Sequence, residues 1–299
     1  MINKFYGFKE KPFSLTPDPD FFYFSKDHID ALEHLIYGVS EGEGFLLLAG
    51  GIGTGKTTIS RVLINKLGES IIHSLVLNPF QNFIELLKNI LWDLGIIPEG
   101  TSTNELIAQL NEFLLNEVAI KGKTALIIID EAQNLSTETL EQLRILSNIE
   151  TDKEKLVQIL LMGQEELLQK LNLQGLRQLN QRITVRFYLN PLKRNEVKEY
   201  LNFRIKKGNP EKNIKFTKMA VKEIYNFSKG VPRLINMIAN RCLIAGFVSE
   251  KTTIDWRIVK RAKDSLFGEK FNKIEKIKHA ETKSIEDINA ENLLLEEKM

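Results

Sequence analysis

The stretch "GGIGTGKTT", residues 50–58, sets glycines, a lysine and hydroxyls at a spacing that suits one ligand chemistry. Gly50, Gly55, Lys56 and Thr57 fit the pattern of glycine, any four residues, glycine, lysine and threonine. Glycines at Gly50, Gly51, Gly53 and Gly55 let the backbone curl so that its N–H groups point inward at phosphate oxygens. Ile52 and Thr54 complete the loop, and Thr58 follows it. A helix beginning here adds its positive dipole end. Lys56 can reach β- and γ-phosphates, and the Thr57 hydroxyl can ligate Mg²⁺. Residues 50–58 are therefore the candidate nucleotide site, with ATP and Mg²⁺ as the expected ligands.

A second constellation lies in "LIIIDEAQN", residues 126–134. Asp130 follows a buried apolar run, at the strand end where open α/β sheets bind ligands. An aspartate there can hold Mg²⁺ directly or through water. Glu131 follows and is the candidate to orient or deprotonate an attacking water. The pair favours hydrolysis of a nucleoside triphosphate, with phosphoryl transfer to a small acceptor as the alternative. Gln164, in "LLMGQEEL", ends the next apolar run. It can bond a γ-phosphate or the lytic water, or simply open a helix. "LRQLNQRITVRFYL", residues 176–189, places Arg177 and Arg182 before a strand and Arg186 within it. A guanidinium stabilises phosphoryl-transfer charge. Arg182 is the first choice and Arg177 the second; a solvated surface arginine is the other reading of each. In "GVPRLIN", Gly230 ends one helix and Pro232 opens the next, which puts Arg233 on a first helical turn.

The elements that must position these residues alternate. Apolar runs at 45–49, 73–78, 124–132, 156–163 and 184–189 read as strands. Helical spacing fills 27–40, 57–67, 82–95, 104–119 and 136–150, the last with a capping-box start at Ser136. Three consecutive isoleucines imply burial on both faces, as in a parallel sheet. Strands alternating with helices predict an α/β sandwich. From Pro191 on, helical patterns at 190–208, 217–230, 231–249 and 253–267 predict a small bundle.

Charge divides the chain at the same place. Residues 1–190 carry 17 Lys/Arg against 24 Asp/Glu, a net −7. Residues 191–267 carry 18 against 7, a net +11, and residues 268–299 carry 6 against 8, a net −2. The expected organisation is an N-terminal strap (1–26), an α/β domain (27–190), a helical lid (191–267) and a charged tail (268–299), helical or disordered. The basic lid suggests an anionic partner. The single cysteine, Cys242, excludes an intrachain disulfide and reads as a small buried hydrophobe. No apolar run approaches the ~20 residues of a membrane span. The opening residues lack the unbroken apolar block of a secretory leader. A cytoplasmic location is the expectation.

Taken together, the motifs resemble the AAA+ ATPases. In that resemblance "GGIGTGKT" matches their Walker A motif and "LIIIDE" their Walker B. Gln164 matches sensor 1, Arg182 or Arg177 the arginine finger, and Arg233 sensor 2. The resemblance implies a three-layer P-loop sandwich whose five-stranded parallel sheet has the order 5-1-4-3-2, with a small all-helical lid. It also implies a ring or filament of identical subunits. The order of "FYGFKEKPFSLTPDPDFFYFS", "GTGKTT", "IIIDEAQNL", "LMGQEEL", "LRQLNQRI" and "GVPRLIN" narrows it to the ATPase domains of the general secretion pathway A type. That implies a nucleotide-dependent ATPase of a secretion, pilus or polysaccharide-export system, with components of that machinery as partners. Members of the type often continue into a transmembrane helix, whereas residues 268–299 here are polar and charged. The alternative is a DNA-binding AAA+ regulator of the transposition type, with DNA on the basic lid.

The opening stretch holds Phe5, Tyr6, Phe8, Phe13, Phe21, Phe22, Tyr23 and Phe24, too many aromatics to leave in water. Pro12, Pro17 and Pro19 fix a bent, extended path. It is expected to strap onto the α/β domain, with residues 21–28 near the adenine side of the nucleotide.

Overall fold

The computed structural model describes residues 1–77, 79, 82–150 and 155–266. The predicted tail, 268–299, lies outside them. The chain forms two compact units. One comprises Thr16–Lys193 with Val231–Arg233, and the other Met1–Leu15 with Arg194–Gly230 and the chain from Leu234 on.

The α/β unit is built on five strands: β1 (Phe45–Gly50), β2 (Ile71–Val76), β3 (Thr124–Ile129), β4 (Gln158–Gly163) and β5 (Ile183–Leu189). They lie in the order β2-β3-β4-β1-β5, which is 5-1-4-3-2 read from the other edge. Every neighbouring pair is parallel. Leu46 sits beside Leu160, and Ile128 beside the same Leu160.

Side chains alternate across a strand, and that alternation makes three layers. Phe45, Leu47, Ile127, Ile129, Ile159 and Leu161 enter one core with the helices Phe83–Asp93, Thr103–Leu114 and Thr137–Leu146. Leu46, Leu48, Leu126, Ile128, Leu160 and Met162 enter the other with the helices Lys26–Ser40 and Lys56–Leu67. β1, β3 and β4 are therefore apolar on both faces, as the isoleucine run predicts. β2 is an edge strand, and its Leu75 N–H donates to the Asp93 carboxylate at 2.5 Å.

Three local differences from the sequence reading have physical causes. The reciprocal capping box belongs to Ser102 and Glu105, not to Ser136. Ser136 does cap its helix, but the residue at the third helical position is Thr139, which has no carboxylate to reach back. The helix from Thr103 ends as a wide π-turn over Leu115–Ile120. Arg177 and Arg182 are the first and last residues of a short helix, Arg177–Arg182, that apolar periodicity over six residues does not announce.

The second unit packs the helices Arg194–Lys207, Lys218–Ser228, Pro232–Val248 and 256–266. A two-residue parallel pairing joins Lys215–Phe216 to Thr253–Ile254. The first fifteen residues of the opening stretch belong here, which corrects the expectation that all of it straps the α/β domain. Residues Ile2–Tyr6 form a helix closed by Gly7. Tyr6 is fully buried, and its hydroxyl reaches the carbonyls of Leu243 at 3.0 Å and Lys251 at 3.1 Å. Arg204 donates from Nε to Pro12 O at 2.5 Å and from Nη2 to Ser14 O at 3.2 Å. Pro12 has no backbone donor, and its carbonyl becomes an anchor for this arginine. Cys242 is buried, as its sequence context predicts.

Candidate nucleotide site

β1 ends at Gly50, and five residues separate it from the helix Lys56–Leu67. The loop between them needs two left-handed residues, Gly53 (φ 75°) and Gly55 (φ 112°). Glycine also leaves space: a Cβ on Gly53 would lie 2.6 Å from the Arg233 Cβ. The first N–H groups of any helix lack an intrahelical acceptor, so this loop offers donors to an anion. Lys56 is buried, and its ammonium donates to Gly50 O at 2.8 Å and Gly51 O at 3.1 Å. Burial holds the Lys56 ammonium below its ordinary pKa, while the carboxylates of Glu131, Asp130 and Glu166 oppose that shift.

The two sequence constellations converge. The Thr57 hydroxyl donates to Asp130 Oδ2 at 2.5 Å, 73 positions away in the chain. Asp130 is buried at the end of β3, and burial raises its pKa against the bonds from Thr57 and from the Glu131 N–H. A hydroxyl and a carboxylate are hard oxygen donors of the kind Mg²⁺ takes. Two protein ligands leave an octahedral ion open to phosphate oxygens and water. Among the described residues no cluster of three or more His, Cys, Asp or Glu offers a closed metal cage. The donor set thus fits a divalent ion carried in with a polyphosphate.

Glu131 adopts a left-handed backbone, φ 52° and ψ 39°, which is costly for a residue with a Cβ. That turn presents its carboxylate to two amides. Gln164 Nε2 donates to Glu131 Oε2 at 2.9 Å, and Gln133 Nε2 donates to the same oxygen at 2.5 Å. Gln133 Oε1 in turn accepts from the Gln164 N–H at 3.2 Å. Lys170 pins the loop beneath by donating to Gln133 O and Leu135 O. Gln133 carries no role in the sequence reading. Its signal was its place two residues after the Asp-Glu pair.

His28 is the other residue that sequence reasoning missed. It is buried on the helix Lys26–Ser40, and its Nε2 lies 3.1 Å from Thr54 O. A carbonyl only accepts, so Nε2 carries the proton and Nδ1 accepts from the Ser25 hydroxyl at 2.5 Å. Phe22 stacks edge-on against the ring at 5.1 Å. A Cβ on Gly55 would meet His28 Nε2 at 3.1 Å, so histidine and glycine fit each other. The later part of the opening stretch thus reaches the phosphate loop through His28.

The arginines separate. The Arg233 N–H donates to Gly53 O at 3.2 Å, which fixes this exposed residue against the loop. Arg182 is exposed but engaged: Nη1 donates to Asn148 Oδ1 and to Ser147 Oγ at 3.1 Å. Arg186 is folded onto Asn180 and Ile183 O. Arg177 is exposed and makes no side-chain hydrogen bond or ion pair among the described residues.

A parallel 5-1-4-3-2 sheet with this loop and this carboxylate pair defines a P-loop protein of the AAA+ class. The AAA domain family matches residues 39–171. Over these residues the chain is similar to the AAA+ proteins, and over most of its length it resembles General secretion pathway protein A. To that protein of Aeromonas hydrophila it is 42% identical over 248 residues, which are 83% of this chain and 45% of the relative. The chain spans under half the length of that relative. Among solved structures, the Orc2 protein of Aeropyrum pernix superposes with a TM-score of 0.65 at 16% identity, over 85% of this chain and 71% of that one. Cdc6p of Pyrobaculum aerophilum gives 0.65 at 18%, over 84% and 71%. A Walker-type ATPase of Pyrococcus abyssi gives 0.59 at 18%, over 91% and 81%. These three share the fold. No described helix is long and apolar enough to cross a membrane.

Proposed function

We propose that the protein is a Mg²⁺-dependent ATP hydrolase that works through nucleotide-dependent self-association, in a ring or filament, as part of a bacterial secretion, pilus or polysaccharide-export system. The observation that carries the hydrolytic reading is the meeting of Thr57 with Asp130 beside a Glu131 carboxylate held by two amides. Bound Mg²⁺ would neutralise charge on the β- and γ-phosphates. The loop N–H groups of residues 50–58 and Lys56 would bind the phosphates, with Thr57 and Asp130 on the ion. Lys56 would exchange the Gly50 and Gly51 carbonyls for phosphate oxygens. Glu131 would accept a proton from the attacking water, and Gln164 and Gln133 would aim it. Arg233 would read the nucleotide from the Gly53 side. Residues 21–28, tied to the loop by His28, would lie toward the adenine.

The finger that completes the site from a neighbouring subunit is Arg177 or Arg182. The freedom of Arg177 and the engagement of Arg182 with Ser147 and Asn148 move Arg177 to first choice. The secretion setting rests on the 42% identity to General secretion pathway protein A.

ATP hydrolysis measured across protein concentration, with and without Mg²⁺ and duplex DNA at two salt concentrations, tests this reading. Mg²⁺-dependent turnover that rises more than linearly with protein, and is abolished by Lys56→Ala together with nucleotide binding, is expected. Retained nucleotide affinity in Lys56→Ala would overturn the site. Strong DNA stimulation that fades with salt would replace secretion with the DNA-bound reading. Arg177→Ala should keep nucleotide binding and lose the concentration-dependent part of the rate, while Arg182→Ala should lose less.

A further inference from the structure

The helical unit holds a cavity of about 560 Å³ between the helices Arg194–Lys207 and Lys218–Ser228. It is lined by Arg194, Asn195, Lys198, Lys218, Val221 and Lys222. The four cations are exposed, and none forms an ion pair or side-chain hydrogen bond among the described residues. Their placement is unfavourable for the unit alone. Arg194 with Lys198, and Lys218 with Lys222, are like-charged pairs four residues apart, which destabilise a helix. Arg194 and Lys218 also open their helices, where the helix dipole disfavours cations. An arrangement that costs stability twice over, around an apolar floor at Val221, fits an anionic segment that brings its own apolar side chains.

We propose that the occupant is residues 285–297 of this same chain, "IEDINAENLLLEE". That segment carries five acids (Glu286, Asp287, Glu291, Glu296 and Glu297) and no Lys or Arg. Ile285, Ile288, Leu293, Leu294 and Leu295 supply apolar groups for the floor. Charge in the stretch leading to it is of the other sign. Residues 268–283 hold five lysines against three glutamates, and residues 284–299 hold five acids against one lysine. The cationic part is repelled by the cavity, and the acidic part is drawn to it.

The point of departure is close. Lys263, three residues before the end of the last described helix, pairs with Glu223 at 3.0 Å. Glu223 is the chain neighbour of Lys222 on the cavity wall. Eighteen residues, 267–284, separate the last described residue from the segment, and a flexible tether of that length has a root-mean-square reach of about 23 Å, at roughly 5–6 Å times the square root of the length. A tether of that length holds its end at a millimolar-range local concentration. Weak, salt-screened contacts therefore suffice, and a partner that binds the segment would empty the cavity.

The test uses the full chain and a full-length variant with Glu286→Gln, Asp287→Asn, Glu291→Gln, Glu296→Gln and Glu297→Gln. Amine labelling read by mass spectrometry should be roughly threefold or more slower at Lys198, Lys218 and Lys222 in the native chain than in the variant. Lys229 and Lys260, outside the lining, should label alike in both. Protection should fade at high salt, within the Debye screening range. Carbodiimide coupling of a mixture of isotope-labelled and unlabelled protein should join Glu286, Asp287 or Glu291 to those lysines within one copy. Equal labelling of the native chain and variant, or crosslinks only between copies, would overturn the proposal. Protection appearing only on addition of duplex DNA would overturn it too, and would assign the cavity to a phosphate backbone.

Discussion

The Tyr6 hydroxyl gives a prediction that separates a hydrogen bond from mere burial. It carries one proton between two carbonyls, Leu243 O at 3.0 Å and Lys251 O at 3.1 Å. Tyr6→Phe keeps the ring and its edge contacts with Phe5 and Phe8. The expected loss is one buried hydrogen bond, about 1 kcal/mol. For a unit of roughly 60–100 residues that is a fall of about 4–8 °C in melting temperature. Gly246 supplies the second arm, because a Cβ there would lie 2.5 Å from the Tyr6 hydroxyl and 2.9 Å from Ile254 Cδ1. Gly246→Ala should gain about 1 kcal/mol of helix propensity and lose about 1–3 kcal/mol to overpacking. In the Tyr6→Phe background the first clash is gone, so the double variant should be about 1 kcal/mol more stable than the sum of the singles. The chain has two tryptophans, Trp92 in the α/β unit and Trp256 in the helical unit. Urea unfolding followed by Trp256 emission in a Trp92→Phe background reports the helical unit. Additivity within about 0.3 kcal/mol would refute the packing of Tyr6 against Gly246. An unchanged midpoint in Tyr6→Phe would refute the hydroxyl's role.

Three more outcomes are expected. Glu131→Gln should bind nucleotide normally and hydrolyse it about 10²–10⁴-fold more slowly, as for loss of a general base, in a phosphate-release assay; a rate within threefold of native would remove Glu131 from the chemistry. His28→Ala should leave the Thr54 carbonyl unbonded and weaken nucleotide binding by about tenfold, from roughly 1–3 kcal/mol of lost loop support, read by calorimetric titration; unchanged affinity would make His28 a core residue only. Stability of the helical unit should fall in alkali. Burial pushes the Cys242 thiol up to about 12 from 9.0, and the Tyr6 phenol up to about 12 from 10.0. Burial also raises Tyr200, against the nearby Arg204 charge and the bond to Asn236. Each group keeps its proton when folded and releases it sooner when unfolded, so its contribution is complete below about pH 9 and declines as pH climbs from there toward 12. Urea midpoints flat from pH 8 to 11 would contradict this burial.

The sheet and its binding loop were legible because each rests on a local signal. Three isoleucines in a row, glycines at fixed offsets and an acid pair after an apolar run need no distant partner to be read. The pairing of Thr57 with Asp130 follows once the strands are ordered, although 73 positions separate them. His28 was hidden because its role depends on a carbonyl 26 positions away and on the missing side chain at Gly55. The split of the opening stretch was hidden for the same reason. Aromatics and prolines say that a segment is covered, but Arg204, some 190 positions on, decides by what. The bonds of Arg182 to Ser147 and Asn148 were hidden too, because only the fold brings those residues to it.

A parallel sheet invites growth, because each outer strand carries a row of amides and carbonyls ready for another chain. Asp93 closes that invitation at β2. Its carboxylate takes the outward Leu75 N–H at the point where an added strand would begin its ladder. A strand brought there would have to displace a charge-assisted bond and set its own carbonyl beside a negative group. The helix that delivers Asp93 thereby opposes growth of the sheet at its β2 margin. In a protein proposed to gather many copies of itself, it keeps that gathering off the β2 margin, where self-pairing would be indiscriminate.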